Sequence, residues 1–402
     1  ELAPSELTVA AGQLFFVARD AIHGDVLFVC DGSASGTRRL ATAPPDPDRL
    51  ASGGGLLVFR GQDPVHGSEP FVSDGSETGT RLLVDTQGGA ISLANDVRGL
   101  TPVPDGRLLF FAGGGLWSSD GSAAGSTELV EDLVATSFGA AVTVGAHVYF
   151  AAREPGHGAE LWRSDGSVAG TGIAADLVPG FTSSEPRVIG EVGGQVIAST
   201  FGPLGIGRGL WSVEGASLQV TRLLTDASVP FAGTGLGLEL LMSGSDPAGN
   251  SFFATDGTLA GTRVIQGPGV SAMGPASGAR AWLALRTDDG VEPGLSDGTA
   301  GGTGLVVDLW RWPPSATRSS NAVVIPWSRR AALLVRSASP TAIFDSDGTP
   351  LGTAPDPRFG ADPLRSMIVD EGTRVLPLGG GLGVLAADDT ISRRYHLFFD
   401  SG

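Results

Sequence analysis

The chain has 402 residues, 62 of them Gly and 26 Pro, and a formal net charge of −17 with 26 Arg and no Lys. That charge repels phosphate backbones and argues against nucleic acid as a partner. No apolar run reaches the roughly 18 residues that a membrane helix needs, so no membrane span is expected, and the single Cys, Cys30, leaves no intrachain disulfide.

From the first residue onward the chain repeats itself. "FVCDGSASGT" ends at Thr37 and "FVSDGSETGT" at Thr80. "LWSSDGSAAGS" ends at Ser126, "ELWRSDGSVAGT" at Thr171, and a worn copy, "LWSVEGASLQVT", at Thr221. "FFATDGTLAGT" ends at Thr262, "GLSDGTAGGT" at Thr303, "FDSDGTPLGT" at Thr353, and "LFFDSG" closes the chain. The acidic residues of these copies are Asp31, Asp74, Asp120, Asp165, Glu214, Asp256, Asp297, Asp347 and Asp400. A period of roughly 45 residues is the period of a propeller blade. In the fourth copy four short apolar runs, 141–144, 147–152, 160–164 and 172–177, are β-branched or aromatic and bounded by Gly, Pro, Asp or Ser. No helical spacing persists. The fold expected is an all-β propeller of four-stranded antiparallel blades, one domain over residues 1–402. Nine blades are favoured; eight is the alternative, should residues 353–402 pack otherwise. We name the strands of a blade a to d.

The recurrent motif then falls on the connection from c to d. Asp165 is placed to accept hydrogen bonds from backbone N–H groups just ahead of it, as in an Asx turn. Gly166 and Gly170 are expected at positive φ, and Thr171 at the start of strand d. Asp31, Asp74, Asp120, Asp256, Asp297 and Asp347 take the same structural role. A phosphate loop needs a Lys and a following helix, both absent from the motif. A calcium loop needs several carboxylates, and each copy offers one. The expectation is no metal and no cofactor. Cys30 stands where other copies have Ser73, Ser119 and Ser164, which reads as a tolerated Ser replacement. Trp117, Trp162 and Trp211 share the c-strand slot and read as core.

The best-kept stretches, "PGHGAELWRSDGSVAGT" (155–171) and "PVHGSEPFVSDGSETGT" (64–80), resemble the ELW-x-x-DGT-x-x-GT repeats of large secreted and surface proteins of myxobacteria and other bacteria with GC-rich genomes. The resemblance covers nearly the whole chain. It implies a β-propeller and assigns no common chemistry. The fifth copy departs from it at Glu214 and lacks the second Gly, so a different c–d turn is expected there.

Binding is expected on the longer irregular loops. The loop 308–321 carries Trp310, Arg311, Trp312 and Arg318, residue types enriched at binding hot spots; the alternative is that Trp310 or Trp312 plugs the seam between blades. His23, His66 and His157 occupy one b–c loop position in different blades, which suits local hydrogen bonding better than a shared metal. His147 and His396 have no Ser or Cys partner motif, and no nucleophile elbow occurs. The pairs Asp288–Asp289 and Asp388–Asp389 read as hairpin caps rather than as glycosidase carboxylates. No catalytic residue is assigned. The chain begins at Glu1, which suggests a processed, exported product. The resulting expectation is a secreted or cell-surface non-enzymatic scaffold. Its partner would be a surface protein, a polysaccharide or neighbouring copies of the chain. The alternatives are a lectin or glycan-directed hydrolase, and a structural subunit of a surface polymer. The last blade has a, b and c strands but no d strand, so either the segment 1–4 or a neighbouring chain is expected to cover its edge.

Overall fold

The computed structural model describes residues 4–33, 35–63, 65–86, 97–136, 141–178, 183–201, 208–225, 229–246, 249–265, 269–287 and 290–306. Beyond these it describes strand backbone at 321–327, 330–336, 342–346, 353–355, 367–368, 375–378, 381–388 and 395–400. The chain forms two compact units, Glu1–Ala174 with Asp370–Gly402, and Ala175–Val369.

Nine antiparallel sheets are present among the described residues, and they follow one another in chain order. The first is built from Ser5–Ala10, Gln13–Asp20, Gly24–Cys30 and Arg38–Arg39, each strand pairing with the next. The second repeats it with Asp48–Gly53, Leu56–Asp63, Gly67–Ser73 and Arg81–Leu82, and the third with Arg98–Pro102, Leu108–Ala112, Gly115–Ser119 and Thr127–Val130. These four-stranded meanders are propeller blades. In the fourth, His147–Glu154 pairs with Gly158–Ser164 and then Gly172–Ala175 follows, close to the runs read from the sequence. One short extra strand, Val134–Ala135, also pairs with His147–Glu154.

Strand b shows why the runs are apolar without alternation. Its successive side chains point to opposite faces, and both faces are covered. In Leu56–Asp63, Leu57 and Phe59 pack with Phe15, Leu27 and Phe71 of the first two sheets. Val58, between them, packs with Val72, Leu108 and Phe110 towards the third. In the third sheet Leu109 and Phe111 turn the other way, onto Val148, Phe150 and Trp162 of the fourth. The same interleaving runs through the second unit, where Met242 and Phe253 join Ile197 and Leu210. There Leu241 and Phe252 join Leu283 and Leu285. Each of these cores lies between two sheets and is shared by them.

The last sheet bears out the reading of residues 375–400 as strands a, b and c. Val375–Leu378 pairs with Gly381–Asp388, which pairs with Tyr395–Asp400. Within the first unit, Val375–Leu378 lies against Ser5–Ala10, so this sheet stands beside the first one. Residues 1–3, invoked above as an edge cover, lie outside the described residues.

Candidate functional site

The c–d turn is the most repeated polar structure among the described residues. In the fourth copy Asp165 Oδ1 accepts from Ser167 N at 2.9 Å and from Ser167 Oγ at 2.7 Å. Ser167 Oγ in turn accepts from Gly170 N at 3.0 Å. Thr171 Oγ1 donates to Ser167 O at 2.6 Å, which spends its only proton. The contact of 2.7 Å between Ser164 Oγ and Thr171 Oγ1 therefore has Ser164 as donor, while Ser164 Oγ accepts from Gly166 N at 3.0 Å. Every hydroxyl in the turn has both a donor and an acceptor role. The network recurs around Asp120, Asp256 and Asp297. It is kept in outline around Asp31 and Asp74. Asp347 lies outside the described residues.

Two details differ from the sequence expectation. Gly166 has φ +88°, as expected, but Gly170 is not at positive φ. It is Gly because a Cβ there would stand 2.0 Å from Asp165 Oδ1. The carboxylate lies over the second Gly, and Gly36, Gly79, Gly125, Gly261 and Gly302 face their own Asp in the same way. Thr171 precedes strand d rather than opening it, and its hydroxyl is what the turn uses. Ser126, which is not β-branched, fills the same place in the third copy.

Donation from the Ser167 hydroxyl is the main cause holding the Asp165 carboxyl below its ordinary value, with burial opposing and the Ser167 N–H adding. Asp31, Asp74, Asp120, Asp256 and Asp297 are lowered too, each first by the hydroxyl two residues on. Cys30 is buried, and its Sγ takes the Ser role, accepting from Gly32 N at 3.2 Å and lying 3.0 Å from Thr37 Oγ1. The fifth turn is rebuilt as expected. Glu214 accepts from Ser217 Oγ at 2.5 Å, and Leu218, at φ +59°, donates to Glu214 O at 2.8 Å.

Successive turns are tied together by Arg. The residue after the turn Thr is Arg38, Arg81 or Arg263, and each reaches the carbonyl of the first turn Gly in the following copy. Arg38 reaches Gly75 O, Arg81 reaches Gly121 O at 3.1 Å, and Arg263 reaches Gly298 O at 2.9 Å. Arg263 also forks onto Glu239, at 2.5 and 2.8 Å. This tie was not foreseen, although the dipeptide Thr-Arg after the motif was its visible signal. A second unforeseen role belongs to the Glu of the signature. Glu69, Glu160 and Glu292 are buried, and Glu69 Oε2 accepts from Thr86 N at 3.0 Å and Thr86 Oγ1 at 2.6 Å. A buried carboxylate is tolerable only when so bonded. It pins the segment that leaves strand d.

His23 and His157 bond locally, as expected. His23 Nδ1 lies 3.2 Å from Asp20 Oδ1, and His157 Nδ1 lies 2.6 Å from Glu154 Oε1, each within one exposed b–c loop. Trp162 is core, whereas Trp117 and Trp211 are half-buried. Trp117 Nε1 donates to Ala112 O at 3.1 Å, and Trp211 carries the Arg222 guanidinium over its ring, 5.2 Å from the centroid. Trp310, Arg311, Trp312 and Arg318 lie outside the described residues, as do Asp288, Asp289 and Asp389. Among the described residues no helix is long and apolar enough to cross a membrane.

No family model and no curated protein matches the chain. Solved structures do. Dipeptidyl peptidase 4 of Porphyromonas gingivalis is similar at TM-score 0.52 and 10% identity, over 96% of this chain and 65% of that one. The acylaminoacyl peptidase of Pyrococcus horikoshii gives TM-score 0.42 and 11% identity, over 96% of this chain and 58% of that one. The β-propeller domain of the Trilobed protease from Pyrococcus furiosus gives 0.40 and 11%, over 88% and 97%. The fold is an all-β propeller, and the chain spans 65% and 58% of the length of the first two peptidases.

This corrects the expectation of a non-enzymatic scaffold, together with its lectin and polymer alternatives and the assignment as no enzyme. Dipeptidyl peptidase 4, which shares the fold over 96% of this chain, is a peptidase. The physical reason for the error is plain. Repeated residues are the ones consumed in turns and cores, so a propeller reads as inert whether or not it serves an enzyme.

Proposed function

We propose that this propeller works as part of a peptide-hydrolysing protein. The observation that supports the reading is the likeness to dipeptidyl peptidase 4 over 96% of this chain, which leaves a third or so of that protein without a counterpart here. In this reading the 402 residues form the module that meets the peptide, and the hydrolytic groups are supplied beside it. The Trp310 to Arg318 segment is then a candidate contact for peptide side chains rather than for sugar. The kinship with ELW-x-x-DGT-x-x-GT repeat proteins, and with it an exported or surface location, belongs to the same proposal.

The test is peptide turnover by the protein in its native polypeptide context, with a mixture of short peptides followed by mass spectrometry. Cleavage at defined bonds is the expected result. Intact peptides after prolonged incubation with folded protein would refute the proposal. Loss of turnover in Trp310→Ala or Trp312→Ala, with the fold intact, would place that loop in peptide contact.

A further inference from the structure

Asp31, Asp74, Asp120, Asp165, Asp256 and Asp297 are each followed by Gly, and an Asp–Gly bond has a chemistry of its own. With no Cβ in the way, the Gly nitrogen can attack Cγ of the Asp before it. The nitrogen gives up its proton, the carboxyl gives up OH, and water leaves as a succinimide ring closes. Water then opens the ring at either carbonyl. One product is Asp again. The other is isoaspartate, in which the main chain runs through the former side-chain carboxyl. The water lost is regained, so no other reagent is needed.

The c–d turn opposes both partners of this reaction. On the carboxyl side, Oδ1 of each Asp accepts from the backbone N–H two residues on, at 2.8–2.9 Å. Those bonds favour the ionised carboxylate, whereas the form that loses OH is the protonated acid. On the nitrogen side, Gly75, Gly121, Gly166, Gly257 and Gly298 each donate to a Ser or Thr hydroxyl at the end of strand c, at 3.0 Å. The nitrogen cannot turn onto Cγ without losing that bond. Each of these Gly also lies under the sheet before it. A Cβ on Gly75 would meet Gln13, on Gly121 Leu56, on Gly166 Ser118, on Gly257 Gln195 and on Gly298 Glu239. Four of them are buried and Gly121 is half-buried, so solvent base has poor access to their N–H.

The first turn departs from this on three counts. Gly32 N donates to Cys30 Sγ, at 3.2 Å, and sulfur is a weak acceptor. A Cβ on Gly32 would meet open space. Gly32 is exposed, as is Asp31 beside it. We propose that Asp31–Gly32 is a site of spontaneous aspartyl rearrangement in the folded protein, from which the strand-c hydroxyl and the preceding sheet protect the other described Asp–Gly turns. The site is independent of the hydrolytic reading above, because its signature is a modification of this chain and not turnover of a peptide.

The test holds the whole folded protein at neutral pH and body temperature for weeks and maps its peptides by mass spectrometry. Electron-transfer fragmentation tells isoaspartate from Asp. Isoaspartate is expected at Asp31 at least about fivefold faster than at Asp74, Asp165 or Asp297, the factor to which one neutral hydrogen bond corresponds. Cys30→Ser gives Gly32 N the hydroxyl of the other copies and should slow Asp31 several-fold. Ser164→Cys is the converse, and it serves if Cys30→Ser fails to fold: Asp165 should then rearrange several-fold faster. In guanidinium chloride the fold is gone, and the turns should react alike. Equal rates at Asp31 and the other turns of the folded protein overturn the proposal, as does a lead for Asp31 that persists in guanidinium chloride. A lead unchanged by Cys30→Ser, with Asp165 unchanged by Ser164→Cys, would refute the protection ascribed to the hydroxyl.

Discussion

Replacing Gly170 by Ala tests the account of the turn most directly. A Cβ at 170 would lie 2.0 Å from Asp165 Oδ1, 2.1 Å from Cγ and 2.2 Å from Oδ2. All three atoms are on a short side chain held by two hydrogen bonds from Ser167, so the carboxylate must leave its place. Hydrogen bonds to a charged group are worth about 1.5–3 kcal/mol each when shielded and less at an exposed turn. The net cost of Gly170→Ala should therefore be about 1–3 kcal/mol. Gly166→Ala has another cause. A methyl carbon at 166 would meet no atom closer than 3.4 Å, so space is adequate. The strain of φ +88° remains, and it costs about 1–2 kcal/mol. A double-mutant cycle separates the two. In an Asp165→Ala background the Gly170→Ala cost should largely vanish, because nothing is left to collide with, while the Gly166→Ala cost should persist. Urea midpoints give the energies, and hydrogen exchange at Ser167 and Gly170 reports the turn itself, which matters if the repeats do not unfold as one step. A Gly170→Ala cost unchanged by removal of the Asp165 carboxylate would refute the steric explanation.

Other consequences can be measured in parallel. The lowered pKa of Asp165 gives stability that is fully present above the unfolded value near 3.8 and lost as pH falls through the folded one. The gap in melting temperature between wild type and Asp165→Asn should thus narrow from pH 6 towards pH 3, and a gap independent of pH contradicts the linkage. Cys30→Ser should change stability by less than about 1 kcal/mol, since Ser fills the same network elsewhere; Cys30→Val removes the acceptor of Gly32 N and should cost more, by thermal melting. Arg263→Lys should not restore what Arg263→Ala loses, about 1 kcal/mol at this half-exposed site, because Lys cannot fork onto Glu239 and reach Gly298 O together. Full rescue by Lys would mean that charge alone matters. Phe59→Ala should cost about 3–5 kcal/mol, since Phe59 is fully buried between the first and second sheets; a small shift in urea midpoint would mean that the seam collapses around the gap.

The period, the four strands per copy and the place of the turn are legible in the bare sequence. These depend on neighbours along the chain: Asp165 meets Ser167 two residues on, and strand runs end where Gly and Asp force a turn. Glu214 and the missing second Gly mark the fifth turn as different. Other features involve residues far apart in the chain, and they emerge only from the folded structure. Arg81 bonds a carbonyl forty residues away, and Glu69 is buried under Thr86. Ser5–Ala10 lies beside Asp48–Gly53, and Asp48–Gly53 beside Arg98–Pro102, because these consecutive sheets stack. Local chemistry is written in short spacings, whereas the meeting of side chains from different copies follows from packing.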